Sequence, residues 1–346
     1  MRFTSRLLAG ALCIGLAAPA ADACTRILYE TGDGTYIVGR TLDWFEDTKS
    51  NLWVLPRGVK QNGGLGEGSL EWTSKYGSIV TTIYDIAGVD GMNEKGLVTN
   101  ALYLAESDFG NARATGKPLL SIGGWMQYVL DNFATVAEAV EALRAEPFAI
   151  IAPILPDGKP AVGHLSISDK SGDSAIFEYL KGKLVIHHGH EYTVMTNSPP
   201  FDEQLAVTTY WDQVGGLAML PGTHRASDRF ARVSWNLNAS PKFKDPRIAV
   251  ASVFSIIRSV SVPLGIADPD RPNIASTTWR TVSDVARNRY YFESAFSPNI
   301  FWVDLDKLKF DKGAPVRKLD LTNRPIIAGE SSDLFLDAKP YTFLGQ

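Results

Sequence analysis

A strand–turn–strand pattern that begins directly after Cys24 constrains the fold of this chain more than any other feature. Residues 25–30 (TRILYE) have the composition of a strand, and residues 31–35 (TGDGT) supply the glycines that a tight turn needs. Residues 36–44 (YIVGRTLDW) run back as a second strand. The sequence therefore predicts an antiparallel hairpin with Cys24 at its open end.

The register of this hairpin brings two charged residues close to Cys24. With the turn at its middle, Cys24 is expected opposite Thr41 or Leu42, so that Arg40 and Asp43 lie on either side of it. A cation beside a thiol favours the thiolate, and a carboxylate can orient an amine. Residues three apart face opposite ways in a regular strand, so Asp43 needs a bulge or the end of the strand to turn inward. A surface ion pair between Arg40 and Asp43 is the alternative interpretation.

The beginning of the sequence has the layout of a cleavable export signal. Arg2 and Arg6 supply a basic start, residues 7–20 (LLAGALCIGLAAPA) form an apolar run, and Ala21 and Ala23 supply the small residues of a cleavage site. The run is too short to span a bilayer comfortably, and no later segment is apolar and long enough to do so. We therefore expect an exported protein, periplasmic or secreted, that is cleaved after Ala23 and has no membrane span.

Cleavage at this site would leave Cys24 as the only cysteine, because the other one, Cys13, lies within the leader. An unpaired cysteine in an exported chain indicates an intermolecular bridge or a reactive thiol. At the new N-terminus Cys24 would carry a thiol and a free α-amine, whose ordinary pKa of about 7.7–8.0 leaves part of it unprotonated near neutral pH. One residue would then hold a nucleophile and its own general base. The alternative is that Cys24 is only a small residue that the cleavage site tolerates.

A lipoprotein anchor is the rival interpretation of the same junction. Cys24 would then be acylated, but a bacterial lipoprotein site usually has a branched apolar residue three positions before the cysteine. This chain has Ala21 there, followed by the charged Asp22, and fits that pattern poorly. A catalytically inactive envelope protein anchored through Cys24 is the alternative function of another class.

Other kinds of site find little support in the sequence. The net charge of −4 argues against nucleic-acid binding, which requires a basic face. Residues 187–190 (HHGH) end a strand at a turn, and no cysteine or carboxylate cluster has the spacing of metal ligands. Residues 63–68 (GGLGEG) lack the lysine of a phosphate-binding loop, and the G-x-S-x-G elbow of serine hydrolases does not occur. We expect neither a metal nor a cofactor.

Four separated segments carry a family resemblance. They are residues 24–44 (CTRILYETGDGTYIVGRTLDW), 91–104 (GMNEKGLVTNALYL), 194–201 (VMTNSPPF) and 225–235 (RASDRFARVSW). In content and order they resemble the choloylglycine hydrolase family of N-terminal nucleophile hydrolases, which includes bile salt hydrolases, penicillin V acylases and acyl-homoserine-lactone acylases. The resemblance implies hydrolysis of a linear carbon–nitrogen bond in a small-molecule N-acyl amide, in a protein that is commonly tetrameric.

The resemblance also implies a role for each residue that matches a family motif. These residues are Cys24 (nucleophile and, through its α-amine, base), Arg40 (favouring the thiolate), Asp43 (orienting the amine), Tyr103 (backbone N–H toward the oxyanion), Asn197 (side-chain amide toward the oxyanion) and Arg229 (support of the charge network). They are the predicted catalytic residues.

Two aromatic residues indicate which acyl group the pocket would take. Bile salt hydrolases usually carry Asn where this chain has Tyr103, whereas penicillin V acylases often carry Tyr. An aromatic ring prefers apolar or aromatic contact, and Trp44 directly after Asp43 adds a second ring. Trp44 and Tyr103 are therefore predicted to bind an aryl or fatty acyl group, with a bile salt as the alternative substrate. Packing of both rings in the core is the alternative to a role in binding.

The remaining pattern predicts strands at both ends of the chain and helices between them. The predicted features are a surface loop at 56–68, helical spacing in the second half of 119–145, a four-strand meander at 161–197, helices at 224–238 and 246–260, and strands within 275–310. This order is consistent with the α+β class, and the resemblance implies the αββα four-layer sandwich of N-terminal nucleophile hydrolases. We expect residues 24–346 to form a single domain of this kind.

Overall fold

Two large β-sheets form the framework of the protein, and α-helices pack against them. The computed structural model describes residues 24–156, 158, 160–216, 218–266 and 275–345, so that the predicted leader, residues 1–23, lies outside the described residues. In the described residues the strands are β1 (Thr25–Glu30), β2 (Tyr36–Trp44), β3 (Asn51–Leu55), β4 (Lys60–Asn62), β5 (Glu71–Thr73), β6 (Ser78–Ile83), β7 (Ala87–Asn93), β8 (Val98–Leu102), β9 (Leu119–Ser121), β10 (Ala149–Ile151), β11 (His164–Ser168), β12 (Ser174–Leu180), β13 (Lys183–His188), β14 (Val194–Met195), β15 (Ser276–Asp284), β16 (Arg289–Ser294), β17 (Ile300–Asp304), β18 (Arg317–Leu319), β19 (Gly329–Glu330) and β20 (Leu336–Asp337).

The helices lie between the strands in sequence. They are α1 (Ile122–Asn132), α2 (Val136–Arg144), α3 (Phe201–Val214), α4 (Ala226–Ala239) and α5 (Pro246–Arg258), with short 3₁₀ turns at Ala112–Thr115, Leu305–Lys307 and Ser332–Leu334. Among the described residues, none of these helices combines the length and apolarity needed to cross a membrane.

The first sheet contains the predicted hairpin, in the strand order β14-β1-β2-β15-β16-β17-β19. β1 and β2 pair antiparallel, with Thr25 opposite Thr41 and Arg26 opposite Arg40. Continuing this register by one residue brings Cys24 opposite Leu42, which confirms the predicted register. β14 and β15, both far along the chain, pair with the outer sides of the hairpin.

The second sheet has the order β13-β12-β11-β8-β7-β6-β3-β18-β20, and its neighbouring strands are antiparallel. α4 and α5 pack on the first sheet, whereas α1 and α2 pack on the second. The inner faces of the two sheets share one apolar core, to which Val38 and Leu42 contribute from the first and Leu52 and Ile79 from the second. Burying each such side chain contributes about 1.5–3 kcal/mol. The result is the expected α+β, αββα sandwich.

α5 packs closely against the hairpin. Two features of the sequence allow this: a capping residue at the start of the helix and a glycine in the facing strand. The side chain of Asp245 accepts from the backbone N–H groups of Arg247 (2.8 Å) and Ile248 (3.2 Å), which caps the helix. Opposite the helix, a Cβ atom at Gly39 of β2 would lie 2.6 Å from Val253 Cγ1. Glycine at this position therefore permits the close approach of α5 to the strand that carries Arg40 and Asp43.

Three expectations about elements need correction. β11, β12 and β13 form a meander, but the fourth predicted strand, β14, pairs with β1 in the other sheet. The loop at 56–68 contains β4, which pairs with β5. The sequence pattern missed α3, whose apolar residues are largely exposed and give no clear helical stripe.

Candidate active site

Cys24 lies buried at the start of β1, within a ring of polar groups from distant parts of the chain. Its thiol has no disulfide partner, and only 2% of the residue is exposed. The sulfur lies 3.9 Å from the backbone oxygen of Asp43. Beside it, the backbone N–H of Thr25 donates to Thr41 Oγ1 at 3.1 Å, which holds this end of the hairpin closed.

The irregularity that Asp43 requires occurs in the neighbouring strand rather than in its own. The register between β2 and β15 shifts between Thr277 and Trp279, opposite Leu42 and Asp43. At this point Thr277 Oγ1 donates to Asp43 Oδ1 at 2.5 Å, whereas Asp43 Oδ2 is buried and accepts no hydrogen bond. Arg40 and Asp43 are both buried, so the alternative of a surface ion pair is wrong.

Arg40 is held by groups from both sheets. Its Nη2 donates to the backbone oxygen of Ala101 at 2.7 Å, and its Nε lies 3.9 Å from Asp90 Oδ2. The guanidinium also stacks over the Trp279 ring, 4.7 Å from the centroid. A buried cation requires such partners because water does not reach it.

Arg229 of α4 connects the start of β1 to the loop after β14. Its Nη1 donates to the Cys24 backbone oxygen and to Thr25 Oγ1, both at 2.6 Å, and its Nε donates to the His224 backbone oxygen at 3.0 Å. Its Nη2 donates to Asn197 Oδ1 at 2.9 Å. These four donations from one fully buried side chain fix the relative positions of Cys24 and Asn197.

Asn197 lies between Cys24 and Tyr103. Its Oδ1 accepts from the backbone nitrogen of Cys24 as well as from Arg229, and its Nδ2 donates to the Tyr103 backbone oxygen at 2.7 Å. An amide nitrogen has two N–H groups, so one remains for a ligand. The structure thus brings together all six predicted catalytic residues: Cys24, Arg40, Asp43, Tyr103, Asn197 and Arg229.

Burial dominates the electrostatics of this cluster. Desolvation raises the pKa of the Cys24 thiol above its usual value, although Arg40 and Arg229 lower it and Asp43 raises it further. Burial also raises the pKa of Asp43 to about 6, against the opposing effect of Arg229. Arg40 therefore acts in the predicted direction, but its effect is smaller than that of burial. A thiol in this position is protonated near neutral pH and needs a base to become a nucleophile.

A partly open cavity lies beside Cys24. Cys24 and Arg40 contribute to one side of it, and Trp44 and Tyr103 contribute aromatic side chains, whose centroids lie 5.9 Å apart in an edge-to-face contact. The remaining lining is mainly apolar: Leu42, Ile83, Ala87, Val89, Ala101, Leu102, Ile122, Trp125, Pro153, Leu155, Ala161, Val162 and Leu344. Such a cavity fits an apolar or aromatic group attached to a bond that Cys24 could attack.

Comparison with known proteins agrees with the family resemblance of the four sequence segments. The family model described as "Linear amide C-N hydrolases, choloylglycine hydrolase family" matches residues 24–318. The chain belongs to the choloylglycine hydrolase family. A penicillin V acylase from Pectobacterium atrosepticum is 50% identical, with 93% of this chain and 92% of that protein covered. The solved structure of penicillin V acylase from Agrobacterium tumefaciens has a TM-score of 0.87 and 52% identity, covering 93% of this chain and 100% of that one.

Bile salt enzymes of the same family are more distant. A bile salt hydrolase/transferase from Clostridium perfringens is 28% identical, with 83% of this chain and 94% of that protein covered. A structure of the conjugated bile acid hydrolase of Clostridium perfringens, 24% identical, shares the fold with a TM-score of 0.73 over 86% of this chain and 96% of that one.

The site also contains a buried pair, His164 and Glu178, that the sequence motifs did not indicate. His164 Nδ1 lies 2.8 Å from Glu178 Oε1, and His164 Nε2 lies 2.8 Å from the Thr196 backbone oxygen. Since a carbonyl oxygen only accepts, Nε2 donates to it. Glu178 also accepts from the backbone N–H of Phe201 at the start of α3. The pair therefore fixes both ends of the segment 196–201, which contains Asn197.

A signal for this pair was present in the sequence. Leu165 faces Phe177 across the β11–β12 hairpin, so the same register places His164 opposite Glu178. The HHGH histidines have other partners: His188 Nε2 lies 2.8 Å from Asp173 Oδ2. In the described part of the chain, no three His, Cys, Asp or Glu side chains cluster in a way that could hold a metal ion.

Proposed function

We propose that this hydrolase removes an aryl-type acyl group from a linear amide, as in penicillin V, with Cys24 as the nucleophile. The observation that carries the proposal is the position of Cys24 at the wall of an apolar, partly aromatic cavity, in contact with Asn197 and Arg229. The 50% identity to a penicillin V acylase supports the same substrate class. Acyl-homoserine lactones and conjugated bile salts are the competing substrates.

The reaction begins with attack of the thiol on the amide carbon. We propose that export exposes the α-amine of Cys24 by cleavage after Ala23 and that this amine, directly or through a water molecule, accepts the thiol proton. The nearby charge of Arg229 favours the neutral, proton-accepting form of that amine. The new C–S bond converts the carbonyl oxygen into an oxyanion, toward which Asn197 Nδ2 and the Tyr103 backbone N–H donate.

The second half of the reaction releases both products. The tetrahedral intermediate collapses, the C–N bond breaks, and the proton on the α-amine passes to the leaving nitrogen. Water then gives a proton to the α-amine and attacks the thioester carbon. The C–S bond breaks, the carboxylic acid leaves, and the α-ammonium returns its proton to the thiolate of Cys24. In this scheme Asp43 orients the amine through its carboxylate.

Variants of the nucleophile test this proposal. Cys24→Ala should abolish turnover while the circular dichroism spectrum stays that of the wild type, and Cys24→Ser should be very slow because an alcohol ionises far less readily. Thr209→Ala on the exposed side of α3 serves as the control. Normal activity in Cys24→Ala, or in a form that keeps its N-terminal extension, would overturn the role of the thiol or of the α-amine, respectively.

A hydrolysis panel identifies the substrate class. It contains phenoxyacetyl penicillin, a glycine-conjugated bile salt, and short- and long-chain acyl-homoserine lactones. We expect the highest kcat/KM with phenoxyacetyl penicillin, and Tyr103→Ala should raise KM for that substrate more than Tyr103→Phe does. Preference for the bile salt would contradict the assignment of the aromatic pair.

Mass spectrometry of the N-terminus from an exported sample tests localisation and the competing anchor. A free Cys24 supports the periplasmic or secreted enzyme, whereas a diacylglyceryl adduct supports a lipid-anchored envelope protein. Light scattering of the same sample tests the tetramer expected from the family resemblance.

A further inference from the structure

Part of the cavity wall comes from a segment beyond the residues that the family model matches. The family model matches residues 24–318, whereas Leu344, which lines the cavity together with Cys24, lies beyond it. We call residues 341–345 the strap. The backbone N–H of Leu344 donates to the Ile86 backbone oxygen at 2.9 Å, which joins the strap to the turn between β6 and β7.

Aromatic packing holds the strap in place. Phe343 is buried, and its ring stacks on that of Trp72 in β5 with centroids 6.0 Å apart and an interplanar angle of 11°. Tyr341 packs against Trp53 of β3, with the centroids 5.2 Å apart. The strap therefore packs against β3 of the second sheet and against the small β4–β5 hairpin.

Two glycines provide the space in which the strap lies. A Cβ atom at Gly124 of α1 would be 3.0 Å from the Phe343 ring, and one at Gly64 would be 2.9 Å from the Phe343 backbone oxygen. Gly64 also has φ +83°, a conformation that favours glycine. Phe343 thus packs closely against Gly64 and Gly124. This packing fixes the position of the next residue, Leu344.

The residues near Leu344 show which part of the cavity it lines. Ile83 and Ala87, on either side of the turn to which Leu344 is bonded, line the cavity, as does Ile122 at the start of α1. These groups are apolar, whereas Asn197 and Arg229 gather around Cys24. The apolar end is therefore the part that suits the acyl group rather than the reacting bond.

We propose that Leu344 is a specificity-determining residue, which limits the size of the acyl group that the cavity accepts. This inference rests on the proposed function. Leu344→Ala removes about three carbon atoms from the wall, and each additional methylene that then fits should raise relative kcat/KM about fourfold. Leu344→Phe enlarges the side chain and should shift the preference toward shorter acyl groups.

The test compares the wild type, Leu344→Ala and Leu344→Phe on acyl-homoserine lactones of increasing chain length and on phenoxyacetyl penicillin. Leu336→Ala, at an exposed leucine of β20, is the matched control because 74% of that residue is exposed. We expect the long-to-short ratio of kcat/KM to rise in Leu344→Ala, to fall in Leu344→Phe, and to stay at the wild-type value in Leu336→Ala.

The outcomes separate this inference from the proposed function. If the wild type hydrolyses these amides and both Leu344 variants keep its long-to-short ratio within twofold, the role of Leu344 is overturned and the proposed function stands. If the wild type hydrolyses none of them, the proposed function fails first. Should Leu344→Ala not fold, the opposite shift expected in Leu344→Phe still decides, and an equal shift in Leu336→Ala would also overturn the inference.

Discussion

Arg40 and Asp90 meet across the interface between the two sheets, with 3.9 Å between Arg40 Nε and Asp90 Oδ2 and both side chains 1% exposed. Asp90 also accepts from Asn100 Nδ2 at 2.6 Å and from the Tyr290 hydroxyl. The first sheet therefore supplies the cation beside Cys24, and the second sheet supplies its counter-charge. The partner of Arg40 is therefore a carboxylate that the hairpin sequence does not contain.

Replacing Asp90 should change both the stability of the folded protein and the reactivity of the Cys24 thiol. Asp90→Asn leaves the buried charge of Arg40 without its carboxylate, which should lower the free energy of unfolding by about 3–5 kcal/mol. The same change should let Arg40 lower the pKa of the Cys24 thiol further, while Asp43 and Arg229 stay in place. The alkylation rate of Cys24 by iodoacetamide should then begin to rise at lower pH, by on the order of one pH unit.

The control for this change is Asp311→Asn, because the Asp311 side chain is 86% exposed. It should have the alkylation profile of the wild type. An unchanged profile in a folded Asp90→Asn variant would show that the carboxylate does not moderate Arg40.

Loss of the Asn197 side chain should affect catalysis more than binding. Asn197→Ala removes a donor toward the proposed oxyanion, and loss of one such donor typically lowers kcat about 10²–10³-fold. KM for phenoxyacetyl penicillin should change much less, because the acyl group contacts the apolar cavity. Steady-state kinetics measure both, with Asn236→Ala as the control, since the Asn236 amide only donates to Ser259 near the surface. A wild-type kcat in Asn197→Ala would remove Asn197 from the mechanism.

The His164–Glu178 pair should control stability and the position of Asn197 together. Glu178→Leu leaves His164 without its carboxylate partner and should lower the free energy of unfolding by about 3–5 kcal/mol and reduce kcat. Glu178→Gln offers hydrogen bonds to both His164 and Phe201 and should retain most of both properties. Urea unfolding and kinetics of the two variants distinguish these cases. Equal losses in both variants would mean that the charge of Glu178 matters and its hydrogen bonds do not.

Asp131 should make the protein less stable as the pH rises. Burial raises the pKa of Asp131 from 3.8 to about 7, although Trp72 Nε1 (2.7 Å) and Gln127 Nε2 (2.8 Å) donate to its carboxylate. The folded state therefore binds more protons than the unfolded state between these pKa values, so stability falls as pH rises from about 4 to about 7. The full effect is on the order of 4 kcal/mol, from about 1.4 kcal/mol per unit.

Asp131→Asn isolates this contribution because other titrating groups are common to both proteins. The free energy of unfolding of the variant, relative to the wild type, should be higher at about pH 8 than at about pH 5. Urea titrations at the two pH values measure it. A difference that is the same at both pH values would contradict the raised pKa.

The sequence predicted those features that depend on neighbouring residues in the chain. The β1–β2 register follows from a short turn between two strands, and it placed Arg40 and Asp43 beside Cys24 correctly. The alternation of side chains along β2 also indicated that Asp43 needs a bulge or a strand end to face Cys24. Local pairing carries this information because a hairpin turn fixes which residues face each other.

Other features depended on contacts between distant segments. β14 reads like its meander neighbours, yet it joins the other sheet and brings Asn197 to Cys24. The bulge that accommodates Asp43 occurs in β15, which is far from it in sequence. Strand composition does not encode which sheet a strand joins, because that choice depends on the packing of the whole core.

The sequence by itself determined the candidate nucleophile, the hairpin and the motif residues of this hydrolase, since their identities and spacings are chain properties. Only the tertiary structure decided that burial outweighs Arg40 in the pKa of Cys24, that Asp90 lies beside Arg40 from the opposite sheet, and that Leu344 lines the cavity. Desolvation and the shape of a cavity arise when separate layers exclude water together. No single segment carries these properties.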